Sequence, residues 1–114
     1  MSLFLILLAA GDSKRLNSSI PKPFHYINNK TLLEHSINAF KDFHEIKKIV
    51  IVYNRKHKKY LDKLNLKHVV KIIGGKNRQE SAFKALKKIR KMDCKKVLIH
   101  DAARPCPPKP LVKN

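Results

Sequence analysis

The sequence LFLILLAAG, residues 3–11, places six large apolar residues in succession and closes the run with two alanines and a glycine. A continuous apolar run of this length, bounded by small residues, is typical of a strand that is buried on both faces of a parallel sheet. We therefore predict that residues 3–8 form the central strand of an α/β fold.

Apolar runs near an initiating methionine also occur in secretory signals, so a targeting role has to be weighed against the strand. No positively charged residue precedes this run, and the run is too short to cross a bilayer. We predict a cytoplasmic protein with no membrane anchor.

Outward from this strand, the hydrophobic pattern alternates between strand-like and helix-like segments. After a polar loop, it predicts helices over 31–43, 55–64 and 79–92 and strands over 46–53, 69–73 and 97–99. Such alternation indicates right-handed crossovers and a mostly parallel, Rossmann-like sheet with helices on both faces. The length of 114 residues suits one domain.

The formal net charge of +18 raises a different possibility, a basic module that binds nucleic acid. The lysines are spread over nearly every polar segment, without an arginine-rich tract or the interleaved aromatic residues that stack on bases. Solvated helix faces account for this distribution better than a specific nucleic-acid partner.

Cysteine and histidine spacing gives no indication of a zinc site. Cys94 and Cys106 lie outside any CxxC spacing, and the six histidines form no HxxxH or HExxH pair. Two reduced thiols in a cytosol are the simplest interpretation.

Polar clusters follow three of the predicted strands, at residues 9–15, 74–78 and 100–105. Because ligands of parallel sheets bind at the carboxyl ends of the strands, the clusters are expected to meet in one crevice. Arg15 and Lys22 would add fixed positive charge there, and Asp101 is placed to hold a hard divalent cation. Taken singly, each feature has an ordinary alternative: the small residues as a strand ending, Asp101 as a helix cap, Lys22 as a solvated lysine.

Five segments in this order resemble the 2-C-methyl-D-erythritol 4-phosphate cytidylyltransferases over nearly the whole chain. They are LLAAGDSKR at 7–15, PKPF at 21–24, LLEHSI at 32–37, GGKNRQES at 74–81 and VLIHDAARP at 97–105. HDAARP discriminates most, because ribitol-phosphate cytidylyltransferases share the plan but tend to differ in these small residues. The resemblance implies a nucleotidyltransferase-type fold of which residues 1–114 form the N-terminal, CTP-binding part, apparently truncated.

The resemblance also implies roles for individual residues. Arg15 and Lys22 match the residues that stabilise the transition state, and Asp101 matches the aspartate that binds Mg²⁺. Positions around the cytosine and ribose are matched by Ala9, Ala10, Gly75 and Ser81, and nearby arginines of the family are matched by Arg78 and Arg104. Gly11 and Lys76, which lie in the same two loops, are also predicted to contact the nucleotide. The chain departs from the family's usual pattern at Asp12, at Ser13, where a glycine is usual, and at Lys76, where an acidic residue is common.

The activity implied is transfer of CMP from CTP to 2-C-methyl-D-erythritol 4-phosphate, with release of pyrophosphate, in the non-mevalonate route to isoprenoids. The resemblance implies a homodimer for the complete protein. The spread of the lysines and the short apolar run predict neither a specific nucleic-acid partner nor a membrane. Three alternatives remain open: a cytidylyltransferase for another polyol phosphate such as ribitol 5-phosphate, a nucleotide-binding protein without catalysis, and a basic nucleic-acid-binding module.

Overall fold

The computed structural model of the protein describes residues 3–10, 20–92 and 96–102. Its strands are β1 (Leu3–Ala9), β2 (Tyr26–Ile27), β3 (Lys30–Thr31), β4 (Ile46–Tyr53), β5 (Val69–Ile73) and β6 (Lys96–Asp101). Its α-helices are α1 (Leu32–Phe40), α2 (Lys58–Asp62) and α3 (Arg78–Ile89), and 3₁₀ turns cover Lys22–Phe24 and Arg55–His57.

Four parallel strands form the main sheet in the order β5-β4-β1-β6. β1 has a neighbour on each side and is buried from Phe4 to Ala9, which confirms the prediction of a central strand. In the pairing register Ala9 lies opposite Tyr53 on β4, and Leu8 lies opposite Asp101 on β6. The strands therefore end nearly level, and their carboxyl ends share one edge of the sheet.

Each face of the sheet carries its own apolar core. Leu5, Leu7 and Ala9 pack in a core with residues of α1 and α2, whereas Phe4, Ile6 and Leu8 pack in a core with residues of α3. This division follows from the alternation of side chains along a strand, and it confirms helices on both faces. Among the described residues, no helix is long and apolar enough to cross a membrane.

The predicted helices and strands differ from the observed ones mainly at their ends. The helix predicted over 31–43 ends at Phe40, and the basic segment predicted as one helix over 55–64 is a 3₁₀ turn followed by α2. The segment predicted as a polar loop includes the small hairpin β2-β3. Asn28 and Asn29 form its turn with φ of 53° and 70°, a left-handed conformation that asparagine tolerates better than most residues.

Candidate functional site

A cavity of about 570 Å³ opens at the carboxyl ends of the parallel strands. Segments that follow β1, β4 and β5, the last residue of β6 and the first turn of α3 all contribute to its wall. The lining residues are Leu8, Ala10, Asn54, Lys56, Gly75, Lys76, Asn77, Arg78, Ser81 and Asp101. The crevice expected from the strand order is therefore present.

The two glycines after β5 allow a close approach between this segment and its neighbours. The Gly74 N–H donates to the Tyr53 carbonyl at 2.7 Å, which extends the β4-β5 pairing by one residue. The Gly75 N–H donates to Ser81 Oγ at 2.9 Å, and Ser81 is almost completely buried. These bonds hold the 74–75 segment against the first turn of α3, at the wall of the cavity.

The N-terminus of α3 faces the same space. Asn77 is its N-cap, and Asn77 Oδ1 accepts a 2.8 Å hydrogen bond from the Glu80 N–H. The first turn of a helix carries partial positive charge on amide groups that the helix itself leaves unsatisfied. An anion in the cavity would therefore meet amide donors as well as side-chain cations.

The lining side chains carry three cations and one carboxylate. Lys56, Lys76 and Arg78 are exposed on the rim, and Asp101 is half-buried at the end of β6. The Ala102 N–H donates to the Leu8 carbonyl at 3.0 Å, so the backbone next to Asp101 is tied to β1. The net positive charge favours a polyanionic ligand.

Six of the residues singled out in the sequence line the cavity: Ala10, Gly75, Lys76, Arg78, Ser81 and Asp101. Ala9 is completely buried in the core beneath α1 and α2, so its side chain is not available to a ligand there. Lys22 lies in the 3₁₀ turn Lys22–Phe24 and is not among the described residues of the cavity wall. Gly11, Arg15 and Arg104, like Asp12 and Ser13, lie outside the described residues.

Sequence reasoning missed Asn54 and Lys56, which also line the cavity. The signal for them in the sequence is their position after β4, since polar residues also follow β1, β5 and β6 at this edge of the sheet. Among residues 3–10, 20–92 and 96–102, no three His, Cys, Asp or Glu side chains form a group that could hold a metal ion.

Comparison with known proteins identifies one family. A model of the 2-C-methyl-D-erythritol 4-phosphate cytidylyltransferase family matches residues 3–114. The chain belongs to this family. It is 51% identical over 105 residues to a bifunctional enzyme IspD/IspF of Pelagibacter ubique, covering 92% of this chain and 28% of that protein. It is 45% identical to the 2-C-methyl-D-erythritol 4-phosphate cytidylyltransferase of Wigglesworthia glossinidia brevipalpis, covering 91% of this chain and 45% of the relative.

Solved structures of the family share the fold. The bifunctional IspDF of Campylobacter jejuni superposes with a TM-score of 0.81 at 34% identity, covering 97% of this chain and 28% of that one. The Francisella tularensis 2-C-methyl-D-erythritol 4-phosphate cytidylyltransferase superposes with a TM-score of 0.68 at 32% identity, covering 93% and 46%. The chain thus spans about half the length or less of these relatives.

Proposed function

We propose that this chain is the CTP-binding part of an enzyme that transfers CMP from CTP to 2-C-methyl-D-erythritol 4-phosphate. The main support is the cavity described above, because it gathers six residues from three separate segments that were predicted from the sequence to bind nucleotide or metal. Its three cations and the N-terminus of α3 suit the charge of a triphosphate.

The chemistry proposed is an in-line displacement at phosphorus. An anionic oxygen of the acceptor's phosphate attacks the α-phosphorus of CTP, the bond from that phosphorus to the bridging oxygen breaks, and pyrophosphate leaves with the electron pair. A phosphate monoester is already ionised near neutral pH, so no general base is required. The protein's task is to position the reactants and to neutralise charge.

Arg15 and Lys22 are proposed to neutralise the charge that develops on the α-phosphoryl group. Lys22 follows Pro21 and precedes Pro23 in the 3₁₀ turn, where two prolines restrict the backbone. Phe24 anchors this turn in the core and stacks on Tyr60, with ring centroids 5.6 Å apart. The backbone that carries Lys22 is therefore held in place on both sides of the lysine.

Asp101 is the residue proposed to hold Mg²⁺. Magnesium in nucleotide sites is usually bound by one or two carboxylates together with the phosphates of the substrate. A single half-buried carboxylate in the cavity wall fits a cation that arrives with CTP. When bound, the ion would neutralise triphosphate charge, and Asp101 would fix its position relative to β6.

The proposal is tested in the complete protein by measuring the release of pyrophosphate from CTP. The acceptor is either 2-C-methyl-D-erythritol 4-phosphate or ribitol 5-phosphate. We expect turnover with the first acceptor to be much faster than with the second. Faster turnover with ribitol 5-phosphate would identify a different polyol-phosphate cytidylyltransferase. CTP binding without pyrophosphate release from either acceptor would contradict a catalytic function.

The roles of the two cations are tested separately. Lys22→Ala and Arg15→Ala are each expected to lower kcat by at least about 100-fold, as when a preorganised electrostatic group is removed. Lys63→Ala, on an exposed lysine at the end of α2, is the charge-matched control and should leave kcat unchanged. Near-normal turnover of Lys22→Ala and Arg15→Ala would reject the assigned roles.

The same proposal extends to the complete protein as a cytoplasmic homodimer. Light scattering on the purified protein would measure its mass in solution, and a monomer at micromolar concentration would contradict the dimer.

A further inference from the structure

Lys56 lines the cavity, although neither the motifs nor the family resemblance assigns it a role. It lies in the 3₁₀ turn Arg55–His57, directly after β4. β4 lies between β1 and β5 in the sheet. Lys56 therefore reaches the cavity between the exit of β1 and the Gly75–Arg78 segment, the two parts of the wall to which the nucleotide is assigned.

The side chain of Asn54 links the Lys56 turn to the exit of β1. Asn54 Oδ1 accepts a 2.9 Å hydrogen bond from the Lys56 N–H, and Asn54 Nδ2 donates to the Ala10 carbonyl at 3.4 Å. The second bond is long and correspondingly weak. Together the two contacts set the direction in which Lys56 leaves the sheet.

The charge of the cavity wall is predominantly positive. Lys56, Lys76 and Arg78 surround a cavity to which the described residues contribute one carboxylate, Asp101. Like charges on one rim repel one another, and a bound polyanion removes that repulsion. A lysine ammonium binds phosphate as a point charge and does not require the fixed geometry that recognition of a base demands.

We propose that Lys56 is a further nucleotide-binding residue that contacts the triphosphate, and that Asn54 is the positioning residue that orients it. This inference rests on the proposed function, because it takes CTP as the ligand of the cavity. It adds a contact from the β4 exit to those already assigned to the exits of β1, β5 and β6.

The test is an NMR-monitored titration of the 114-residue chain with Mg-CTP and, separately, with cytidine, because this method measures dissociation constants into the millimolar range. Lys56→Ala is expected to raise the Kd for CTP about tenfold, the effect of losing one charge-assisted phosphate contact, and to leave the Kd for cytidine unchanged. Lys56→Arg should restore most of the affinity. Lys63→Ala removes the same charge outside the cavity and should bind CTP like the unsubstituted chain.

Asn54 is tested by its coupling to Lys56. Asn54→Ala alone should weaken CTP binding, whereas in a chain that already carries Lys56→Ala it should have little further effect, because its action passes through the lysine. Equal losses in both backgrounds would assign Asn54 a general structural role and overturn its positioning role.

Three results would overturn the role of Lys56: unchanged CTP affinity in Lys56→Ala, an equal loss in Lys63→Ala, or a parallel loss of cytidine binding. Absence of CTP binding by the unsubstituted chain would reject the proposed function together with this inference. If the unsubstituted chain binds CTP and Lys56→Ala binds it with the same Kd, the proposed function stands and the inference fails.

Discussion

Gly74 occupies a position where a side chain has no room. A Cβ atom there would lie 2.7 Å from Ala10 Cβ, 2.7 Å from Ser81 Oγ and 3.0 Å from Val52 Cγ1. Because these neighbours belong to three different segments, and Val52 lies in the buried core, they cannot all move aside without disturbing the packing. We expect Gly74→Ala to lower the free energy of unfolding by about 1–3 kcal/mol, measured by urea denaturation.

Gly75→Ala is the matched control for that substitution. A Cβ atom at Gly75 would collide with the side chain of Glu80, whose end is flexible and can rotate away. Neither glycine has a positive φ, so the backbone permits alanine at both positions. We expect a loss below about 1 kcal/mol for Gly75→Ala. Equal losses for the two variants would contradict the packing argument.

Substitution of Asp101 tests whether CTP binding depends on Mg²⁺. Asp101→Asn keeps the size of the side chain but removes the charge that attracts a hard cation, so Mg²⁺-dependent CTP binding should weaken. Calorimetric titration of CTP with and without Mg²⁺ measures this difference. If Mg²⁺ strengthened CTP binding equally in both forms, Asp101 would be better interpreted as a structural residue at the end of β6.

At the scale of single elements, α1 begins with a complete capping box. Thr31 Oγ1 accepts from the Glu34 N–H at 3.1 Å, and Glu34 Oε1 accepts from the Thr31 N–H at 2.9 Å. Thr31 is also almost completely buried. Thr31→Ala should therefore lower the free energy of unfolding by about 0.5–2 kcal/mol in urea denaturation, through loss of the cap.

Thr31→Ser separates the cap from the buried methyl group, because serine keeps the hydroxyl and loses only the methyl. We expect Thr31→Ser to retain more stability than Thr31→Ala. If the two variants were equally destabilised, the packing of the methyl group and not the cap would account for the effect.

The main sheet could be predicted because its strands are nearly continuous apolar runs, and residues 46–53 were assigned with the observed bounds. The β2-β3 hairpin could not, since two-residue strands offer no periodicity to detect. Its one signal was the pair Asn28-Asn29, whose side chains tolerate the left-handed conformation of the turn. Helix ends were less predictable than helix centres, as the early end of α1 at Phe40 illustrates.

The candidate site was predictable wherever a polar cluster followed a strand. Asp101 and the 74–78 segment were found in this way, and both reach the cavity. Asn54 and Lys56 follow the same rule. Lys56 falls in the segment 55–64 that is predicted as a basic helix, where lysines are usually solvated, and Asn54 lies between that segment and β4. The role proposed for them depends on the order of the strands, which places the β4 exit between the exits of β1 and β5.

At the scale of the whole molecule, the described sheet has β6 at one edge. Val97 and Ile99 lie in register with Phe4 and Ile6, on the sheet face that carries α3, yet they are 38% and 37% exposed. α3 contacts β1, β4 and β5 and leaves this strip of the face less covered.

The chain matches less than half of the length of each relative compared above, so more than half of each relative has no counterpart in these residues.

Residues 1–114 taken alone are expected to bind Mg-CTP weakly and to transfer no cytidylyl group. The cavity provides groups for a nucleotide, but none of the residues to which the family resemblance gives a role is assigned to the acceptor phosphate. Holding two reactants together can contribute roughly 7–11 kcal/mol to lowering a barrier, so an acceptor that is not held should react too slowly to detect. The measurement is pyrophosphate release from CTP with Mg²⁺ and 2-C-methyl-D-erythritol 4-phosphate, with the full-length Wigglesworthia relative as positive control. Robust turnover by the 114-residue chain would contradict the prediction and would mean that lysines of this half hold the acceptor.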